Sequence, residues 1–338
     1  MKILGIETSC DETAAAVLEI ERGKFNLLSN NVSSQIKTHA KYGGIVPEVA
    51  ARMQMEIIIP VIEESLNKAK TKLNNIDYIA VTQGPGLVTS LVVGVETAKT
   101  LSFTLNKPLI PVNHLVAHLL VNCINDKIEY PAIGLIVSGG HTMLVLIKNE
   151  SNYKIIGETQ DDAVGEAFDK VAKMLNLGYP GGPAISKLAI TGNKEMFKLP
   201  RPMIQQRNFN FSFSGLKTAV LYLIKDKKFK MTKQQVIDLC ASFQQACIDV
   251  LVSKTLRAIK QYKPKSFLLG GGVAANPELR KQLKEKINIK FPKVKIFIPE
   301  LRFTGDNAAM IAVSAYFKIK DKKKIDIKKL KANPNLSL

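Results

Sequence analysis

The sequence predicts an α/β protein built of two similar lobes, and three observations carry that prediction. A succession of three strands, a helix, a strand and a helix runs through residues 2–105 and then recurs. Several strands end in glycine-bearing turns that lead straight into the next element. At 338 residues and 46% hydrophobic content, the chain is long enough for two domains of ordinary globular composition.

The elements follow in order. KILGIET (2–8) is a short apolar strand, and the polar turn Ser9 to Glu12 leads into the strand TAAAVLEI. FNLLSNNVS (25–33) makes the third strand. A long helix opens at Pro47, a favoured first-turn residue, and Pro60 predicts a kink or break inside it. The strand IDYIAVT (76–82), a Gly-Pro-Gly turn and a helix from Leu87 to about Leu105 complete the first copy. The second copy begins with PAIGLIVSGG (131–140), TMLVLIKN (142–149) and YKIIGE (153–158). A helical insertion at about 160–262 follows, then SFLLG (266–270), a helix, KIFIP (295–299) and a last helix from Asp306. The boundaries expected are an N-terminal lobe over 1–108, completed by the C-terminal helix at about 306–330, and a C-terminal lobe over 109–305.

Charge and composition narrow the function. Forty-eight Lys and Arg against 29 Asp and Glu give a net charge of +19, an excess that attracts nucleic acid. A lysine-rich genome would give the same excess. Lysines cluster at 225–233, 281–295 and, most densely, 318–331, where a solvated tail is the simpler reading. The N-terminus has no signal-peptide core and the apolar runs are short and interrupted, so a cytoplasmic protein without a membrane role is expected. Cys10, Cys123, Cys240 and Cys247 form no C-x-x-C pair, which argues against a thiolate zinc site or a disulfide framework.

Two of the four histidines sit in His114-Leu115-Val116-Ala117-His118. On a helix, residues four apart share a face, so both imidazoles can grip one metal ion. A zinc protease of the H-E-x-x-H type needs Glu after the first His, and here Leu115 stands there. Asp306, ahead of the last helix, reads as a cap unless the fold brings it to the histidines; two His and one carboxylate would then make an open metal face.

Three further motifs suit a nucleotide. Ser138-Gly139-Gly140 lies between two strands, where glycine permits close backbone approach to phosphate, although a hairpin turn needs the same residues. Gly270-Gly271-Gly272 precedes a helix that Asn276 would cap with Pro277 at its first position, a strand-turn-helix context suited to anions. Asp161-Asp162 is expected to open an amphipathic helix whose stripe is Val164, Phe168, Val171 and Leu175, with Asp169 just beside it. On spacing alone Asp169 reads as a solvated helix acid. His39 and Glu48 bracket one more glycine turn, serving either a site or a surface loop.

Together these residues resemble the universal tRNA N6-adenosine threonylcarbamoyltransferase (TsaD) family, formerly called O-sialoglycoprotein endopeptidases. The matching segments are GIETSCDET (5–13), HAKYGGIVPE (39–48), QGPGL (83–87), KTLSFTLNKPLIPVNHLVAHL (99–119), IVSGGHT (136–142), GEAFDKVAK (165–173), YPGGP (179–183), FSGLKTA (213–219), GGVAAN (271–276) and TGDNAAMIA (304–312). The resemblance implies two ribonuclease-H-like lobes of the actin, Hsp70 and sugar-kinase type around a nucleotide cleft. It implies transfer of threonylcarbamoyl from threonylcarbamoyl-AMP to N6 of adenosine 37 in tRNAs reading codons that start with A. His114, His118 and Asp306 would hold one divalent metal, iron(II) first and zinc(II) as the alternative. Ile136, Val137, Ser138, Gly139, Gly140, Asp169, Gly182 and Asn276 would bind the adenylate, or ATP or ADP in its place. Asp11 and Glu12 match polar residues at the reacting end. Expected partners are the tRNA anticodon stem-loop, an inactive paralogue and a small ATPase. Two departures stand out: Gly305 where the family's C-T-D-N has Thr, and Ser186 where many members have Asp. A metalloprotease and a non-catalytic ATP-binding scaffold are the alternatives.

Overall fold

A computed structural model describes residues 1–225, 231–320 and 327–338. Among the described residues ten strands run β1 Lys2–Glu7, β2 Glu12–Glu21, β3 Lys24–Ser34, β4 Tyr78–Gly84, β5 Leu109–Asn113, β6 Ala132–Val137, β7 Thr142–Asn149, β8 Asn152–Glu158, β9 Ser266–Gly270 and β10 Lys295–Phe297. The helices are α1 Ile36–Ala40, α2 Pro47–Lys68, α3 Val88–Leu105, α4 His114–Leu120, α5 Val164–Met174, α6 Gly181–Ala189, α7 Ser214–Lys225, α8 Lys233–Tyr262, α9 Pro277–Lys290 and α10 Ala308–Lys320.

The chain divides into two compact units, Met1–Ile128 with Pro299–Leu338, and Glu129–Ile298. The boundaries expected from sequence need correction. Residues 109–128 belong to the first unit because β5 pairs in parallel with β4, Ile79 against Leu109 and Ala80 against Ile110. Residues 299–305 return to that unit as well. Of the C-terminal helix expected at about 306–330, α10 accounts for Ala308–Lys320, and 321–326 lie outside the described residues.

Each unit holds one five-stranded sheet, and the two have the same topology. In the first the order is β3-β2-β1-β4-β5, and in the second it is β8-β7-β6-β9-β10. In both, the opening three strands are an antiparallel meander and the last two add in parallel beside the first. The repeated pattern read from the sequence is therefore a repeated fold.

Packing explains the strand compositions. β1 and β2 are buried almost throughout, since helices cover the first sheet: Leu4, Ile6, Val17 and Val81 share a core with Ile58 and Ile62 of α2 and Val95 of α3. α10 lies close on β1, where a Cβ on Gly5 would strike the Ala308 carbonyl. All residues from Ala308 to Ala315 are buried. In the second unit, α8 runs through the core with Leu239, Phe243, Cys247 and Leu251 buried. By length and hydropathy α8 would suffice to cross a membrane, and most of its apolar stretch is buried in this unit.

Two local expectations change. α2 passes through Pro60 without a break, because Pro60 and Glu56, whose carbonyl loses its partner, both face solvent. α5 begins at Val164, not at Asp161, since Ala163 is extended. Asp161 instead accepts hydrogen bonds from the backbone N–H groups of Phe213 at 2.8 Å and Ser214 at 3.2 Å, at the start of α7. Asp162 pairs with Lys217 at 2.6 Å and Lys170 at 2.9 Å. Of the three lysine clusters, 225–233 and 318–331 contain stretches outside the described residues.

Candidate functional site

The first unit assembles a metal-competent triad. Asn113 caps α4: its Oδ1 accepts from Leu115 N–H at 2.9 Å and Val116 N–H at 3.2 Å. The helix therefore starts at His114 and sets His118 one turn on along the same buried face. The two rings meet edge to face with centroids 4.6 Å apart. The third member arrives from the far end of the chain on the loop before α10, which packs against α4. Asp306 Oδ1 lies 3.2 Å from His118 Nε2 and 3.5 Å from His114 Nε2. One ligand atom from each of the three falls within 4.8 Å of the others.

Asn307, rather than Asp306, caps α10. Asn307 Oδ1 accepts from Met310 N–H at 3.1 Å, and its Nδ2 donates to the Gly305 carbonyl at 2.8 Å. The cap expected of Asp306 is supplied by its neighbour. Asn307 also ties down the carbonyl of Gly305, a residue whose freedom makes the loop costlier to order.

Glu7, which sequence reasoning passed over, backs the triad. It is fully buried, and its Oε2 is 3.2 Å from His114 Nδ1. Ser9 Oγ stands 3.1 Å from the same nitrogen, Ser9 N–H donates to Glu7 Oε1 at 2.5 Å, and Thr82 O–H donates to Glu7 Oε2 at 2.5 Å. A carboxylate behind a histidine fixes its tautomer and strengthens it as a ligand. Its only sequence signal was a lone Glu ending an apolar strand. Burial alone would lower the basicity of His114, but Asp306 and Glu7 outweigh it and lift the pKa to about 9. Burial lowers that of His118, with His114 adding to the effect. The donor set of two imidazoles and a carboxylate, with Glu7 behind His114, fits iron(II) or zinc(II).

Asp11 and Glu12 sit nearby at the head of β2. Asp11 is buried, and Glu12 accepts from Ser34 O–H at 3.2 Å. Burial, then the charges of Asp306 and Asp11, hold the Glu12 carboxyl well above the usual range. Burial first and the same carboxylates push the Cys10 thiol up, which makes it a poor nucleophile. His39, also buried, bonds Gln35 at 3.1 Å and accepts from Val46 N–H at 3.3 Å, so it shapes its loop. Glu48 pairs on the surface with Arg52.

The remaining expected residues gather in the second unit around its glycine turns. The turn after β6 closes by Ser138 N–H to the His141 carbonyl at 2.8 Å and His141 N–H to Ser138 Oγ at 3.0 Å. Gly139 and Gly140 are exposed, and a Cβ on either would meet nothing within 4 Å. Ile136 and Val137 are fully buried, so neither side chain faces a ligand. Gly165 N–H reaches the Ser138 carbonyl at 3.2 Å, and a Cβ there would collide with it. Asp169 is not the solvated acid its spacing suggested: its Oδ1 accepts from Gly181 N–H at 2.7 Å and fixes the start of α6, beside Gly182. Asn276 caps α9 as expected, accepting from Leu279 N–H at 3.0 Å. Its amide donates to Gln244 Oε1 at 2.7 Å and lies 3.4 Å from Ser186 Oγ. Gln244, mid-helix on α8, gave no sequence signal.

Fold and site define a class: a duplicated mixed α/β protein bearing a His/His/Asp triad that could hold a metal ion. The chain is similar in fold to the HypF protein of T. kodakarensis (TM-score 0.64, 13% identity, 97% of this chain and 49% of that one). It is likewise similar to (R)-2-hydroxyglutaryl-CoA dehydratase component A of Acidaminococcus fermentans (TM-score 0.55, 15% identity, 95% and 99%). The model of the TsaD family, tRNA N6-adenosine threonylcarbamoyltransferase, matches residues 26–313. Relatives of that name are 50% identical in Persephonella marina, covering 95% of this chain and 91% of the relative, and 47% identical in Listeria monocytogenes, covering 99% and 96%. The chain belongs to the tRNA N6-adenosine threonylcarbamoyltransferase family.

Proposed function

We propose that this chain transfers a threonylcarbamoyl group from threonylcarbamoyl-AMP to N6 of adenosine 37 in tRNAs that read codons beginning with A. Family membership makes it a tRNA-modifying transferase. The single observation that carries the chemistry is the meeting of His114, His118 and Asp306 within 4.8 Å. When bound there, an iron(II) or zinc(II) ion supplies Lewis-acid polarisation and a template for substrate oxygens.

The chain's own residues do the rest. Gly139 and Gly140 leave room for adenylate phosphates at their backbone, and Asp169 holds Gly181 and Gly182 at the start of α6. Asn276, held by Gln244 and by its cap of α9, is the contact to the adenylate at the start of that helix. N6 attacks the carbamoyl carbon, the bond from that carbon to the phosphate oxygen breaks, AMP departs and N6 gives up a proton. Asp11 is its acceptor, beside Glu12, whose carboxyl burial holds well above the usual range. Adenine amines are weak nucleophiles, so alignment of the two reactants supplies much of the rate. The target base lies in an RNA loop, where it can be splayed out.

The +19 charge suits the phosphates of the anticodon stem-loop. Met55 and Ile59 on α2, with Val88 and Val92 on the adjoining α3, form exposed apolar pairs suited to a protein partner. We assign that face to the inactive paralogue, with a small ATPase as a further partner, and the whole to the cytoplasm. The protease reading lacks its base, since Leu115 is buried in the Glu position.

The test is reconstitution. Purified protein, partners and tRNA are incubated with threonylcarbamoyl-AMP, and modified adenosine is sought by mass spectrometry. Product from wild type and none from His114→Ala/His118→Ala supports the reading. No product from wild type, or undiminished product from the double variant, sinks it, and the first result favours a scaffold.

A further inference from the structure

The last residues of the chain reach two supports of His114. Asn333 N–H donates to the Gln83 carbonyl at 2.8 Å, Gln83 Nε2 donates to the Lys331 carbonyl at 3.2 Å, and Gly86 N–H donates to the Pro334 carbonyl at 3.3 Å. The approach is close enough to require glycine, because a Cβ on Gly84 would run into the carbonyl of Asn333. The segment then turns, Leu336 N–H bonding the Asn333 carbonyl at 3.2 Å, and the Ser337 carbonyl accepts from Asn113 Nδ2 at 3.0 Å. Ala332, Pro334, Leu336 and Leu338 are half-buried and the residues between them exposed, so one side of the segment lies against the unit.

Both supports lead to the same histidine. Asn113 is buried, and the side chain that holds Ser337 also caps α4 through Leu115 and Val116 N–H. The Gly84-Pro85-Gly86 turn packs on Ser9: a Cβ on Gly86 would strike it, and Leu87 N–H donates to its carbonyl at 2.7 Å. Ser9 Oγ in turn stands 3.1 Å from His114 Nδ1. One route fixes where the helix begins, and the other fixes the hydroxyl behind the ring.

We propose that residues 331–337 form a positioning strap for the metal site, holding Asn113 and the Gly84–Gly86 turn so that His114 points its Nε2 at Asp306. The inference rests on the reading of His114, His118 and Asp306 as metal ligands. Asn113 and the strap are positioning elements, since none of them reaches the ligand atoms.

Cobalt(II) titration tests it in four proteins: wild type, a chain ending at Leu330, and full-length Gly84→Ala and Asn113→Ser. Serine keeps a capping oxygen and loses the amide that reaches Ser337. Circular dichroism and thermal unfolding without metal establish that each variant folds; should the shortened chain not fold, the two point variants decide. The expected result is cobalt binding weakened roughly tenfold, as loss of an outer-shell partner produces, with an altered visible cobalt spectrum. Wild-type affinity and spectrum in the folded variants overturn the strap alone. Failure of wild type to take up cobalt overturns the metal reading, and the strap with it.

Discussion

Glu7 and His114 stand 107 residues apart in the chain, yet Glu7 Oε2 lies 3.2 Å from His114 Nδ1 with the carboxylate wholly buried. The contact exists because β1, which ends at Glu7, and β5, which runs into α4, lie on either side of β4 in one sheet. A carboxylate so placed orients the imidazole and makes it a better ligand. Glu7→Gln keeps the shape and removes the charge. Its zinc or iron affinity should fall 10- to 100-fold, as for other outer-shell partners. Competition with a coloured chelator measures this, and an unchanged affinity would show that Glu7 is structural only.

Gly139 separates ligand binding from folding. Nothing lies within 4 Å of a Cβ added there, so Gly139→Ala should alter stability by no more than about 1 kcal/mol. If phosphates approach the bare backbone, the same methyl should weaken ATP or ADP binding at least tenfold. Calorimetric titration beside a thermal melt reads both. Full nucleotide affinity in the variant would move the phosphate site elsewhere.

Asn307 should prove more costly to lose than its surface-like sequence context suggests. Its oxygen caps α10 and its amide holds the Gly305 carbonyl next to Asp306. Asn307→Ala should cost about 1 kcal/mol of stability and weaken metal binding as Asp306 loosens. A melting curve with and without metal checks it: the stabilisation by added metal should shrink in the variant, not merely shift along with the whole curve.

Lys254 gives a signed pH dependence away from the triad. It is fully buried on α8, donates to the Asn208 carbonyl at 3.1 Å, and burial, then Arg257, bring its pKa down to about 8. Unfolded, a lysine titrates near 10.4. Between those values the unfolded chain binds more protons, so this group makes stability rise with pH from about 8 to about 10.4. The slope for one proton is at most about 1.4 kcal/mol per pH unit. Lys254→Met should flatten that part of the denaturation profile; an unchanged profile would assign the slope to other groups.

Much of the fold was legible because its signals are local. Alternating and continuous apolar runs marked the strands, Pro47 opened a helix, and Asn276-Pro277 announced the cap of α9. The duplicated order of elements foretold two sheets of one topology. The misread points were those where a local rule met a distant partner. Asp161 and Asp162 looked like the charged first turn of α5, but serve α7 and two lysines instead. Asp169 looked solvated because its partner, Gly181, belongs to the next helix. Residues 109–128 looked like the start of the second lobe because pairing of β5 with β4 is a long-range choice.

By itself the sequence determined that two imidazoles share one helical face, that glycine turns follow strands β6 and β9, and that no base follows the first histidine. These depend on neighbours up to four residues away and on residue chemistry. Only the tertiary structure decided that Asp306 meets those imidazoles, that Glu7 and Ser9 stand behind one of them, and that residues 331–337 reach the cap of their helix. The reason is physical. Gly5 lets α10 lie close on the sheet, burial of α10 brings the loop of Asp306 beside α4, and that burial is a property of the packed core rather than of any short segment.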